Sequence, residues 1–173
     1  MVWTSPFGVT QREFDAAREA YPSLAVCGRR VCPMKRSGFG RLLDFLLHRS
    51  NRNGRQEQII TGVTVEIAGI AGGSNGRRRR RYRLFADVTS IRTALPTVWV
   101  LDPPDSGINH VNIFHPAASV RCNRLNKSLP MFCWGSTTTA RWGAVPPQHR
   151  LLEPFLGFVA EFLGKENHNS LAR

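Results

Sequence analysis

Several things are scarce in this chain. Of its 24 basic residues only Lys35, Lys127 and Lys165 are lysines, so arginine supplies nearly all of the +12 formal charge. No apolar run approaches the roughly 18 residues that a membrane-spanning helix needs, and the opening Met1-Val2-Trp3-Thr4-Ser5-Pro6 lacks the basic-then-apolar order of a secretory signal. The expectation is a cytoplasmic protein with no membrane partner. There are four cysteines, Cys27, Cys32, Cys122 and Cys133. Without a secretory signal they are not expected to pair, which leaves core packing, metal binding or catalysis. No two of them have the C-x2-C spacing of a zinc ribbon or finger, so a site from Cys27, Cys32, His110, His115, Cys122 and Cys133 has the donor type for zinc but not the pattern. No metal and no cofactor is expected. Internal repeats are absent, and so is a stacked aromatic motif for nucleic acid.

With 173 residues and 42% apolar content, the chain suits one domain with an extension and can bury a sizeable core. The positive charge is uneven. Arg77 to Arg81 form one block and Arg29, Arg30, Lys35, Arg36 and Arg41 a looser one. A basic balance raises nucleic acid or an acidic protein as partner. Like-charge blocks are commonly solvated turns, however, and nucleic acid is not expected here as a specific partner.

Residues 1–58 read as an N-terminal helical segment. Gln11 to Ala20 suits a short helix with Thr10 as N-cap and Tyr21-Pro22 as its end. Phe39, Leu42, Leu43, Leu46 and Leu47 recur at helical spacing, predicting a second helix over Gly38 to Arg49. Residues 59–173 read as the core. Val63, Val65 and Ile67 alternate with Thr64, Glu66 and Ala68, and Tyr82, Leu84, Ala86 and Val88 with Arg81, Arg83, Phe85 and Asp87, which predicts a hairpin with the arginine block at its tip. A third strand follows Pro96 over Thr97 to Leu101. Strands in this order without intervening helices predict an antiparallel meander. Ile108 to Arg141 reads as a long polar loop, a length that often carries function. Leu151, Leu152, Phe155, Leu156, Phe158, Val159, Phe162 and Leu163 then form an apolar helical stripe, with Pro154 in its first turn and Gly164 as C-cap. The expected class is α+β: a meander with one helix laid across a sheet face.

The order of these features resembles the ubiquitin-conjugating enzyme fold. Leu95-Pro96-Thr97-Val98-Trp99-Val100 is similar to that family's Pro-Pro-x-Val-x-Phe strand. His110-Val111-Asn112 resembles its His-Pro-Asn motif. Leu129-Pro130-Met131-Phe132-Cys133 resembles the strand that delivers the active cysteine. Trp142 stands nine positions after Cys133, where the family places a tryptophan, and Glu166 to Leu171 resembles the segment after the packing helix. The resemblance covers roughly Thr61 to Arg173. The chain departs from the pattern in the 21 positions between Asn112 and Cys133, which require an insertion around 113–128, and in C-terminal helices that are truncated. Such members resemble bacterial conjugating-enzyme-like proteins of antiphage defence operons.

The resemblance implies a thioester enzyme. Cys133 would accept a ubiquitin-like protein from an activating enzyme and pass it to an amine on a protein target. A thiolate suits this, being both a strong nucleophile and a good leaving group. Asn112 would stabilise the oxyanion or order the loop. His110 would brace that loop, or act as a base near neutrality. An alternative reading takes His115-Pro116-Ala117 as the degenerate motif and Cys122 as the nucleophile. An inactive binding module and a basic nucleic-acid-binding domain are the rival functions. Few lysines would limit self-modification of such an enzyme, although arginine preference also follows genome composition.

Overall fold

The computed structural model describes residues 8–33, 56–71, 78–103, 110, 112–114 and 121–165. The elements in chain order are helix α1 (Gln11–Ala20), strands β1 (Ala25–Pro33), β2 (Gln56–Ala71), β3 (Arg78–Asp87), β4 (Thr97–Asp102), β5 (Ile113–Phe114), β6 (Arg121–Cys122), β7 (Lys127–Ser128) and β8 (Met131–Phe132), then helix α2 (Gly135–Ala144), a 3-10 turn (Pro147–His149) and helix α3 (Leu152–Gly164). Six strands form one antiparallel sheet in the order β1-β2-β3-β4-β8-β5, and β6 and β7 form a separate hairpin. The α+β class and the antiparallel meander are as expected. No helix among the described residues is long and apolar enough to cross a membrane.

Alternation along the strands sorts side chains to two faces. Val63, Val65, Ile67, Tyr82, Leu84, Ala86, Val98, Val100, Ile113 and Phe132 face the main core. There they meet Leu152, Phe155, Leu156, Val159, Phe162 and Leu163 of α3, and Phe14 and Ala17 of α1. Each such side chain contributes roughly 1.5–3 kcal/mol on full burial, so the α3 stripe is the largest local source of stability. The helix lies close against β2: a Cβ on Gly69 would sit 2.7 Å from the Leu163 Cβ. The opposite face carries a smaller cluster, in which Phe85 and Trp99 stack with ring centroids 5.6 Å apart. Cys122, Leu125, Leu129 and Met131 cover this pair.

Three expectations are corrected. Ala25–Pro33, placed in a helical segment by its position before residue 58, is a strand paired with β2. It is a sheet edge, exposed and bulged around Gly28, so it shows no alternation to read. The arginine block is not confined to a turn: Arg78 to Arg81 lie within β3, paired with Ala71 to Ala68. The stretch 108–141 is not one long loop, for it contains β5 to β8 and much of α2. Helix α2 has Thr137, Thr138 and Thr139 in its middle and only Trp142 buried, so neither propensity nor an apolar stripe announces it. The expected helix over Gly38 to Arg49 and the segment Glu166 to Leu171 lie outside the described residues.

Helix α1 starts with a capping box. The Glu13 backbone N–H donates to the Thr10 hydroxyl at 3.3 Å, and the Thr10 N–H donates to the Glu13 carboxylate at 3.1 Å. That carboxylate also accepts from Arg92, which is buried in the turn after β3. Arg92 donates to the Arg150 carbonyl, and Arg150 donates back to the Arg92 carbonyl at 2.8 Å. Arg150 further donates to the carbonyls of Val145 and Gly143, each at 2.8 Å. Two buried guanidiniums thereby join α1, the turn after β3 and the end of α2. Removing one member leaves its partners unpaired, at a cost of about 3–5 kcal/mol. Arg92→Met should lower the urea-unfolding free energy by about that much, whereas Arg12→Met on the exposed face of α1 should change it by under about 0.5 kcal/mol.

Helices α2 and α3 are tied on the surface by Arg141, which donates to both oxygens of Glu161 at 3.0 and 3.2 Å; Lys165, at the end of α3 itself, donates to the same carboxylate at 3.0 Å. The Arg141 hydrogen bond first, and the Lys165 one second, lower the Glu161 carboxyl from 4.5 to about 2. The folded value lies below the unfolded one. The contribution is therefore complete above the ordinary carboxylate range and is lost as pH falls through the folded value. A ¹³C NMR titration should place the Glu161 midpoint near 2. Arg141→Gln with Lys165→Gln should return it to the ordinary range.

Candidate functional site around Cys133

Strands β5 and β8 are two residues each, with Ile113 opposite Phe132 and Phe114 opposite Met131. Packing of three of the four side chains holds so short a pair, while Phe114 is exposed. Ile113 and Phe132 are buried in the main core, while Met131 covers the Phe85–Trp99 pair. The ladder continues one step further, for the Cys133 N–H donates to the Asn112 carbonyl at 2.8 Å. Residues 21 positions apart in sequence are thus hydrogen-bonded neighbours. The intervening chain leaves and returns at this pair. Its described part, the β6–β7 hairpin, turns at Asn126 (φ 51°) and lies over the other sheet face.

Arg124 fixes that hairpin. Its guanidinium donates to Asp87 at 2.8 Å, to the Thr61 hydroxyl at 2.9 Å and to the Thr89 hydroxyl at 2.8 Å. All three partners belong to β2, the end of β3 or the turn beyond. The insertion expected around 113–128 therefore does not separate Asn112 from Cys133.

The motif before the cysteine is buried. His110 and Asn112 are 3% and 5% exposed. The Asn112 N–H donates to His110 Nδ1 at 3.3 Å, and the Ile113 N–H to the His110 carbonyl at 3.0 Å, closing a tight turn. The imidazole stacks on Phe162 of α3 at 5.7 Å and meets Tyr82 edge-on at 6.5 Å. The ring is thus enclosed between α3 and the sheet.

Beyond Cys133 the chain turns sharply. Gly135 takes φ 69°, a left-handed conformation that glycine adopts without strain, and α2 begins there. Trp134 sits between the two. Its indole N–H donates to the Pro96 carbonyl at 2.9 Å, and its ring packs edge-on against Phe162 at 4.8 Å and Phe132 at 5.2 Å. Trp142 is buried, with its indole N–H donating to the Ala94 carbonyl at 3.2 Å. Both tryptophans hold the segment around Cys133 to the turn before β4. The sequence reading gave Trp134 and Phe162 no role at the site. The available signal was a tryptophan directly after the cysteine, since a packed indole needs a partner for its N–H.

The four thiols differ in access. Cys27 is exposed as a residue, and Cys32 and Cys133 are half-buried. Cys122, the alternative nucleophile, has no exposure and packs against Phe85 and Trp99 as a small hydrophobe. His115, on which that alternative rests, lies outside the described residues. The Cys27 sulfur sits against Gly62, where an added Cβ would be 3.3 Å away. Burial pushes its thiol up to about 11; Arg124 opposes this, and Asp87 and Cys122 add to it. Among the described residues, no group of three or more His, Cys, Asp or Glu side chains is arranged to hold a metal.

The chain matches no protein-family model, no curated protein and no solved structure. The site is therefore read from its own geometry. Alkylation of the native protein by iodoacetamide at mildly alkaline pH, followed by peptide mass spectrometry, should modify Cys133 well before the fully buried Cys122. Cys122 should become reactive only on unfolding.

Proposed function

We propose that the chain is a ubiquitin-conjugating-enzyme-like protein of bacterial antiphage defence, with Cys133 as its thioester-forming residue. One observation carries the reading. The backbone hydrogen bond from Cys133 to Asn112 puts the His110–Asn112 turn directly beside the cysteine, despite the long interval in sequence. The antiparallel meander, the helix α3 across one face and the tryptophan-anchored helix α2 after the cysteine support it.

In this reading the Cys133 thiolate attacks the C-terminal thioester carbonyl of a ubiquitin-like protein held on an activating enzyme. A new C–S bond forms and the activating enzyme's thiolate leaves. A target amine then attacks the Cys133 thioester, the C–S bond breaks as the C–N bond forms, and the amine loses its proton to solvent or a nearby base. Amide formation from a thioester is downhill, so positioning matters more than strong acid–base catalysis. Burial of Asn112 fits loop ordering better than direct oxyanion contact: its backbone holds Cys133, and its side chain is enclosed.

The alternative of an inactive binding module draws on the same enclosure of Asn112. The two readings separate on a stable adduct. With an activating enzyme, its ubiquitin-like protein and ATP, Cys133→Lys should form an isopeptide-linked species that resists reducing agent, and Cys122→Lys should form none. No adduct on Cys133→Lys, with partner binding retained in Cys133→Ala, would point to the binding module.

A further inference from the structure

We infer that the β2–β3 hairpin is a docking arm for the phosphate backbone of a nucleic acid. Strand β3 pairs with β4 only from Arg83 to Asp87. The part that carries Arg78 to Arg81 runs past that ladder and, among the described residues, is paired with β2 alone. Arg78, Arg79 and Arg81 are exposed there. In a loose turn, like charges relax away from one another. In a strand they are held in register: Arg79 and Arg81 share one face about 7 Å apart, and Arg78 stands on the other. Their cross-strand partners are Ala71, Ile70 and Ala68, none of which carries charge. The first acidic neighbours, Glu66 and Asp102, stand opposite Arg83.

Like charges concentrated along one strand repel one another, and a bound polyanion relieves that repulsion. A linear, regularly charged polyanion matches such a row. The scattered carboxylates of a folded acidic surface match such a row less well. Arginine rather than lysine suits the case, because its planar fork binds phosphate through paired hydrogen bonds. The +12 formal charge of the whole chain adds a long-range attraction of the same sign. Arg77 to Arg81 are five consecutive arginines, yet no exposed large aromatic side chain stands among the described residues of the arm. The contact is thus to backbone and not to bases, without sequence preference.

The arm is separate from the cysteine. Strand β8 runs antiparallel to β4, with Met131 opposite Trp99, so the chain from Met131 to Cys133 heads toward the Thr97 end of β4. The arginines lie beyond its Asp102 end. This inference therefore stands independently of the thioester reading.

The experiment is fluorescence anisotropy of the full chain with a labelled mixed-sequence single strand about 20 nucleotides long, titrated from about 50 to about 200 mM salt. Arg78→Gln, Arg79→Gln and Arg81→Gln combined should weaken binding about tenfold or more. They should also make the log–log salt slope shallower by about 2, as expected for three lost phosphate contacts on a single strand. The charge-matched control is Arg12→Gln, Arg18→Gln and Arg30→Gln on α1 and β1. It should change affinity by less than about threefold, since it alters only the general field. Equal losses in the two triple variants would overturn the proposal in favour of undirected charge attraction. So would wild-type binding that is insensitive to salt. Labelled poly-glutamate binding as tightly as the oligonucleotide would overturn it in favour of an acidic protein partner.

Discussion

The ring of Phe162 holds the molecule's functional end together. It projects from α3 into the core and is packed on three sides by His110, Phe132 and Trp134, with centroids 5.7, 4.5 and 4.8 Å away. Those three residues flank Asn112 and Cys133 in the chain. Neither β5 nor β8 is long enough to define its own register. One helix side chain therefore sets the positions of three short segments that backbone pairing alone would leave adjustable. The α3 stripe and the geometry at Cys133 are two aspects of the same packing.

The second organising fact is that the sheet has a core on each face. The larger one joins α1 and α3 to the meander. The smaller one is built by Phe85 and Trp99 beneath the β6–β7 hairpin. Arg124 connects the two regions, because it reaches from the hairpin to groups on β2, the end of β3 and the turn beyond. On the other side, Arg92 and Arg150 perform the corresponding task for α1 and α2. The protein thus uses arginine as an internal brace as well as a surface charge. A planar group with five donors can satisfy several carbonyls at once.

The parts of this fold that could be read in the sequence are those whose side chains alternate between solvent and core. The Val63–Val65–Ile67 and Tyr82–Leu84–Ala86 patterns give β2 and β3 directly, Pro96 marks the entry to β4, the Leu151 to Leu163 stripe gives α3, and Thr10 with Glu13 gives the start of α1. The rest was illegible for physical reasons. Strand β1 is an exposed edge, α2 is rich in threonine and buries one side chain, and β5 and β8 are too short for any period to show. Tertiary packing makes these elements, and no local signal records it. The site shows the same division. Cys133 and the motif at His110 and Asn112 were recognisable as residue types in order. Their adjacency, and the parts played by Trp134 and Phe162, depend on contacts between distant segments. The arginine block was legible as charge but not as strand, because five consecutive arginines carry no apolar alternation.

The pairing of Asn112 with Cys133 makes sequence separation a poor measure of this site. Chain that departs after Phe114 and re-enters at Met131 crosses the same two points whatever lies between, so the interval is free to lengthen or shorten as a spliced cassette. What the cassette brings is a lid for Phe85 and Trp99, two rings that a shorter version would leave in water. The length of the cassette and the character of that sheet face are therefore coupled. A chain with a short interval would need polar residues where this one has Phe85 and Trp99.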